Sequence, residues 1–131
     1  MSSKNCCIDS CVWIKYAGPD KATTLIKLIR QNDLTVFADN YLLSEVHKAL
    51  YKEFDFTIRE ADKLILLIMP FIIVSAPRNI YRFAPDPKDN FLYDICIQNS
   101  CSILITTDRE LLLDDNAPFS RKTDSWLKRL R

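Results

Sequence analysis

Apolar positions along the chain switch between two periods. Short runs at 5–8 (Cys6-Cys7-Ile8), 34–37 (Leu34-Thr35-Val36-Phe37), 71–74 (Phe71-Ile72-Ile73-Val74) and 103–106 (Ile103-Leu104-Ile105) have strand length, and their apolar residues read as buried strands. Between them the spacing becomes helical. Ala22, Leu25, Ile26, Leu28 and Ile29 form a stripe over 21–31, after the punctuation Gly18-Pro19-Asp20. Asp39-Asn40 can cap a helix whose buried stripe holds Leu42, Leu43, Val46 and Leu50. Thr57 with Glu60 makes a capping box for a third helix running towards Met69, where Pro70 marks the boundary. Asp86-Pro87-Lys88-Asp89 opens a fourth, with Leu92, Ile95, Cys96 and Asn99 on one side, and a short helix follows at 109–113. Strands separated by helices pair in parallel through right-handed crossovers. The predicted fold class is therefore α/β, a three-layer α/β/α sandwich with a central, mainly parallel sheet, as a single domain over 1–131.

Composition narrows the picture. With 48% hydrophobic and 27% charged residues, the chain has the make-up of an ordinary globule and no low-complexity tract. The longest apolar run, 64–74, is too short for a membrane span, is broken by Pro70, and reads as a helix end followed by a buried strand. Met1-Ser2-Ser3-Lys4-Asn5 leads into the first strand without a signal peptide's features, so a cytoplasmic setting is expected. Five cysteines without a C-x-x-C pair, and one histidine, argue against zinc. The thiols are expected as reduced core side chains, with Cys101 partly exposed. A single glycine, Gly18, cannot build a dinucleotide or phosphate loop, and His47 as the only imidazole sits on a helix as a structural or surface residue. A formal charge of +1 excludes binding of nucleic acid by bulk charge, so any basic surface must be local. The best candidate is the tail Arg121, Lys122, Lys128, Arg129 and Arg131, which reads more simply as the solvated face of a charged terminal helix.

The acids carry the candidate chemistry. Asp9 follows the first strand and Asp108 the last, at the ends where open α/β sheets bind ligands. Glu45 reaches that edge from the helix after the second strand, and Asp89 from a helix N-terminus. Four gathered carboxylates repel, and Mg²⁺ or Mn²⁺ relieves the repulsion while keeping waters and open positions for phosphates. That chemistry points to metal-dependent phosphodiester cleavage. Each acid also has a structural explanation: Asp86 as an N-cap with Asp89 as its capping-box partner, Asp108 as the cap of 109–113, and Asp9 as a strand end. Glu45 stands beside Leu42, Val46 and Ala49 and is expected to be partly buried. Asp94, Asp114, Asp115 and Asp124 are assigned to solvent or turns, and Trp13 and Tyr16 to packing beside the site.

Asp9-Ser10 after a strand, the helical Glu45, the Asp86-Pro87-Lys88-Asp89-Asn90 helix start and Thr106-Thr107-Asp108 resemble the PIN-domain ribonucleases, especially bacterial toxin-type members. The resemblance spans nearly the whole chain. It implies Mg²⁺- or Mn²⁺-dependent cleavage of single-stranded RNA, an antitoxin protein whose peptide enters the acidic groove, and a plausible homodimer, to which Tyr16, Phe54 and Phe56 could contribute. Carried over by position, Asp9, Glu45, Asp89 and Asp108 match the acidic quartet, as catalytic and metal-binding residues, while Ser10 and Thr106 match the hydroxyls that orient it. Two positions depart: Cys11 stands where members often have Asn or Ser, and Thr107 where they often have Gly. The alternative is a catalytically weak PIN-like RNA-binding or protein-interaction module. A phosphohydrolase of the D-x-D class is disfavoured by Asp9-Ser10-Cys11.

Overall fold

Cys6, Cys7 and Ile8 have no exposed surface, nor have Leu104 and Ile105, so the runs lacking a polar alternation occupy the middle of the sheet. A computed structural model describes residues 4–76 and 81–129; Met1, Ser2, Ser3 and Arg131 lie outside the described residues. Its five strands are β1 (Lys4–Ile8), β2 (Leu34–Ala38), β3 (Ile72–Val74), β4 (Ile103–Ile105) and β5 (Ser120–Lys122). All pair in parallel, in the order β3-β2-β1-β4-β5, with Cys6 beside Val36 on one side and Ile103 on the other. The chain works outward from β1 to β3 and then returns to the opposite side of β1. Strand order therefore reverses between β1 and β4, the position of the ligand crevice in open α/β sheets.

Among the described residues the α-helices are α1 (Ser10–Lys15), α2 (Pro19–Gln31), α3 (Asn40–Glu53), α4 (Ile58–Ile68), α5 (Asn90–Gln98), α6 (Arg109–Leu112) and α7 (Ser125–Arg129). In α3 the predicted stripe of Leu42, Leu43, Val46 and Leu50 is the buried set, and α3 packs against α1 and α4. Thr57 and Glu60 form the capping box of α4. Pro70 lies in a 3-10 turn over Met69–Phe71 that ends this helical stretch before β3. Asp86 caps a second 3-10 turn, Pro87–Asp89, by accepting from Lys88 N at 3.0 Å, and this turn leads into α5 on β1 and β2.

Several expectations change. β3 is an edge strand with Ile73 and Val74 exposed, not a buried strand, because it pairs only with β2. The pattern gave no hint of β5, three polar residues made into a strand by pairing with β4, or of α1, a six-residue helix that buries Val12 and Trp13. Arg121 and Lys122 thus belong to a strand, and Arg121 donates to the carbonyls of Leu111 and Phe119. Cys101 is buried, as are Cys6, Cys7 and Cys96, and all five cysteines are free. Asp124 is buried at the turn before α7, where it accepts from Lys15 at 2.8 Å and Tyr16 at 2.7 Å. That contact buries Tyr16, which cannot then serve as an exposed interface residue. Asp94 is also buried, not solvated, and accepts from Tyr81 N at 3.3 Å. No helix among the described residues is long and apolar enough to cross a membrane.

With one glycine in the chain, three helices end on other residues in the left-handed region: Asp33 (φ 52), Asp55 (φ 61) and Ser100 (φ 52). At Ser100 the closing pattern is complete, with Ser100 N donating to Ile97 O at 3.3 Å and Cys101 N to Cys96 O at 2.8 Å. A side chain there is strained and glycine is not. Ser100→Gly is expected to stabilise the fold by about 0.5–1 kcal/mol, read as a raised denaturant midpoint at unchanged m-value; an unchanged or lower midpoint would contradict it.

Candidate active site

Four of the five strands run into an aspartate within three residues of their carboxyl ends: Asp9 after β1, Asp39 after β2, Asp108 after β4 and Asp124 after β5. Asp124 is neutralised by Lys15. Burial pushes its carboxyl up, but the hydrogen bonds from Lys15 and Tyr16 outweigh that and leave it below its ordinary range. The other three belong to the crevice and its flank.

Asp9 is the fixed point. It is 7% exposed, its amide donates to Ile105 O at 2.9 Å, and its extended backbone turns β1 into α1. Its Oδ1 accepts from Ser10 N at 2.7 Å, with the Ser10 hydroxyl farther off at 3.4 Å. Its Oδ2 accepts from Thr106 Oγ1 at 2.7 Å and from the Cys11 thiol at 3.5 Å. Thr106 is completely buried, and its oxygen also accepts from Asp108 N at 3.0 Å. One hydroxyl thus ties the carboxylate after β1 to the backbone after β4. Asp108 is exposed and caps α6, its Oδ1 accepting from Glu110 N at 2.9 Å. The capping explanation for Asp108 is therefore correct as far as one oxygen goes; the other has no such bond among the described residues.

Asp89 differs. It is half-buried, occupies the N-cap position of α5 and makes no capping hydrogen bond, so the cap here is Asp86 alone. Burial lifts its carboxyl from an ordinary 3.8 to about 6, with further contributions from Asp9, Asp108, Asp86 and Glu45 in that order. Glu45 is exposed on α3 rather than tucked into the apolar stripe, yet its carboxyl is also raised, by partial desolvation and then by Asp9 and Asp39. Asp89 therefore feels the other three predicted acids, and Glu45 feels Asp9.

Two features escaped the sequence reading. Asp39 caps α3 as expected, accepting from Leu42 N at 2.8 Å, but its near-complete burial, at 1% exposed, as a further acid at a strand end was not read. Burial raises its carboxyl against the pull of that bond, and Asp94 adds to the rise. The signal was present, since Asp39 follows β2 as directly as Asp9 follows β1. The second feature is that the two departures from the family pattern touch: Thr107 Oγ1 donates to Cys11 Sγ at 3.2 Å, and Thr107 N reaches the same sulfur at 3.5 Å. Burial, and then Asp9, hold the Cys11 thiol above its ordinary range, so it serves as a neutral donor to Asp9.

The donor chemistry suits a hard cation, because the crevice offers carboxylate and hydroxyl oxygens and couples them strongly enough to raise Asp89. Among the described residues, no group of three acids, histidines or cysteines closes around a single point as a ligand cage. Mg²⁺ needs no such cage, being held by one or two carboxylates with waters and substrate phosphates completing its shell.

A five-stranded parallel sheet with acids at its order reversal defines the chain as an α/β protein with a ligand edge of the open-sheet type. A family model described as PIN domain matches residues 5–110, and the chain belongs to the PIN-domain family, whose members are generally nucleases that use divalent metals. The crystal structure of PAE2754 from Pyrobaculum aerophilum is similar in fold, with a TM-score of 0.65 at 16% identity over 97% of this chain and 89% of that one. No curated protein matches the sequence.

A carboxyl raised on folding binds its proton more tightly folded than unfolded, so metal-free protein loses stability as pH rises from about 4 to about 6. Asp89→Asn removes that loss. In EDTA at pH 7.5 it should raise Tm by roughly 3 °C, the order expected for about 1 kcal/mol after screening of a half-exposed group. The gain should vanish near pH 4, and thermal melts at the two pH values check it.

Proposed function

We propose that this chain is a Mg²⁺- or Mn²⁺-dependent endoribonuclease that cleaves single-stranded RNA, acting in the cytoplasm as the toxin of a toxin–antitoxin pair. The observation that carries the nuclease reading is Asp89, a carboxyl raised to about 6 by burial and by four neighbouring acids at the edge where such sheets bind ligands. The toxin role rests on the resemblance of the strand-end motifs to toxin-type members, and it brings with it an antitoxin that would cover the acids until released.

Asp9 and Asp108 are the residues that would hold the cation. Each spends lone pairs on capping, and a carboxylate has others to offer. When bound, the ion would offset the crowded negative charge, polarise the phosphoryl oxygen and lower the pKa of water. The protein's own groups do the positioning. Thr106 and the Ser10 amide lock the Asp9 carboxylate in one orientation, which keeps its lone pairs directed without a reorganisation cost during reaction. Asp89, free of capping duty and poised near neutrality, suits acceptance of the proton of the attacking water. Glu45 adds a fourth carboxylate from the opposite wall.

The absence of a three-acid cage among the described residues favours a second reading, a catalytically weak RNA-binding or interaction module. One experiment separates the two. Wild-type protein freed of any inhibitor is incubated with labelled single-stranded RNA in Mn²⁺, Mg²⁺ or EDTA. Cleavage in either metal but not EDTA, cut at least about a hundredfold by Asp9→Asn or Asp108→Asn at unchanged fold by circular dichroism, is the expected result. RNA left intact in both metals would end the nuclease reading.

A further inference from the structure

Of the four predicted acids, Glu45 lines a longer cleft. A groove of about 680 Å³ starts at Ser10, Cys11 and Glu45 and runs along the exposed face of α3, past Lys48 and Lys52 to Phe54. Glu45, Lys48 and Lys52 are spaced by three and four residues, so they lie in a row on one helix face over roughly 10 Å. Lysines in such a row are ordinarily a solvated face. Here they line a concavity that begins at Glu45 and at Ser10 and Cys11, the two residues after Asp9, and the ion pairs among the described residues, Lys15 with Asp124 and His47 with Asp62, leave both of them uncommitted. Lys15 also lines the groove, but its charge is already matched by Asp124.

Aromatic rings stand at both ends of this row. Tyr41, 62% exposed in the first turn of α3, meets the edge of Phe91 with ring centroids 4.7 Å apart, and Phe91 is two residues beyond Asp89. Phe54, 51% exposed, ends the helix roughly 20 Å away. Single exposed rings are ordinary, but these two share one groove with two unpaired cations. Positive charge flanked by open rings suits a flexible polyanion with stackable bases: phosphates settle on the ammonium groups and bases on the rings. A folded acidic protein would use the cations but has no need of the rings.

We infer that this groove holds the flanking segment of single-stranded RNA, with Lys48 and Lys52 on its phosphates and Tyr41 under a base next to the acidic crevice. The inference rests on the reading of the chain as an RNA-cleaving protein, and it adds a path by which RNA leaves the cutting site along α3. Glu53 is the one carboxylate at the far end of the groove and opposes the strand there.

Binding of a labelled single-stranded RNA 12-mer, followed by fluorescence anisotropy in EDTA over a salt series, tests it without requiring cleavage. Lys48→Ala with Lys52→Ala should weaken binding by about tenfold and reduce the slope of log affinity against log salt by roughly 1.4. Tyr41→Ala should weaken it at least about fivefold, Tyr41→Phe should restore it, and Glu53→Gln should tighten it. Lys63→Ala, on α4 outside the groove, should change nothing. Wild-type affinity and slope in the double variant would overturn the track while leaving the nuclease reading intact. RNA bound through these residues but never cut would do the reverse. Unchanged RNA affinity, with loss of binding to polyglutamate, would assign the lysines to an acidic protein and overturn the track equally.

Discussion

The Thr106 hydroxyl donates to Asp9 at 2.7 Å and accepts from the Asp108 amide at 3.0 Å. This fully buried group joins the ends of β1 and β4, the two strands between which the sheet reverses its order. Without it the carboxylate of Asp9 would need another partner in a place water hardly reaches, since a buried charge lacking hydrogen bonds is costly. With it, the Asp9 carboxylate is held in one orientation, and its field reaches Glu45, Asp89 and Cys11. The site is thus built around one well-satisfied acid whose neighbours carry the electrostatic strain. Asp89, with no capping bond to offset its burial, carries most of it.

Capping and chemistry share residues throughout. Asp9, Asp39 and Asp108 each turn a strand into a helix by accepting a backbone N–H, and each thereby brings a carboxylate to the carboxyl edge of the sheet. A helix N-terminus favours negative charge, so the fold tolerates several acids at one edge that would otherwise repel. The same economy explains why the structural and functional explanations of these residues do not compete. A carboxylate can satisfy a helix with one oxygen and leave lone pairs for a ligand.

Charge also changes sign along a short path. The crevice is acidic, while the groove continuing from it along α3 carries Lys48 and Lys52 and open aromatic rings. A net charge of +1 conceals this division, because the sum counts the two surfaces against each other. Of the tail cations, Arg121 is spent on carbonyls beside β5, while the lysines that face the groove come from the middle of the chain.

Strand and helix identity, the α3 stripe, the α4 capping box and the parallel sheet were legible in the sequence because they depend on near neighbours: periodicity, turn residues and caps act within a few positions. The nearness of Asp9 to β1 and of Asp108 to β4 was legible for the same reason. What no local signal carries is long-range pairing. β5 exists because β4 lends its edge to three polar residues, and β3 is half-exposed because it has one neighbour instead of two. Asp94 and Asp124 are buried because Tyr81, Lys15 and Tyr16 meet them across 13, 109 and 108 residues of chain. The contact between Cys11 and Thr107, 96 positions apart, is likewise a product of the β1/β4 register. The sequence determined which residues could do the chemistry; tertiary structure decided which of them share a field, since electrostatic coupling falls with distance in space and takes no account of distance along the chain.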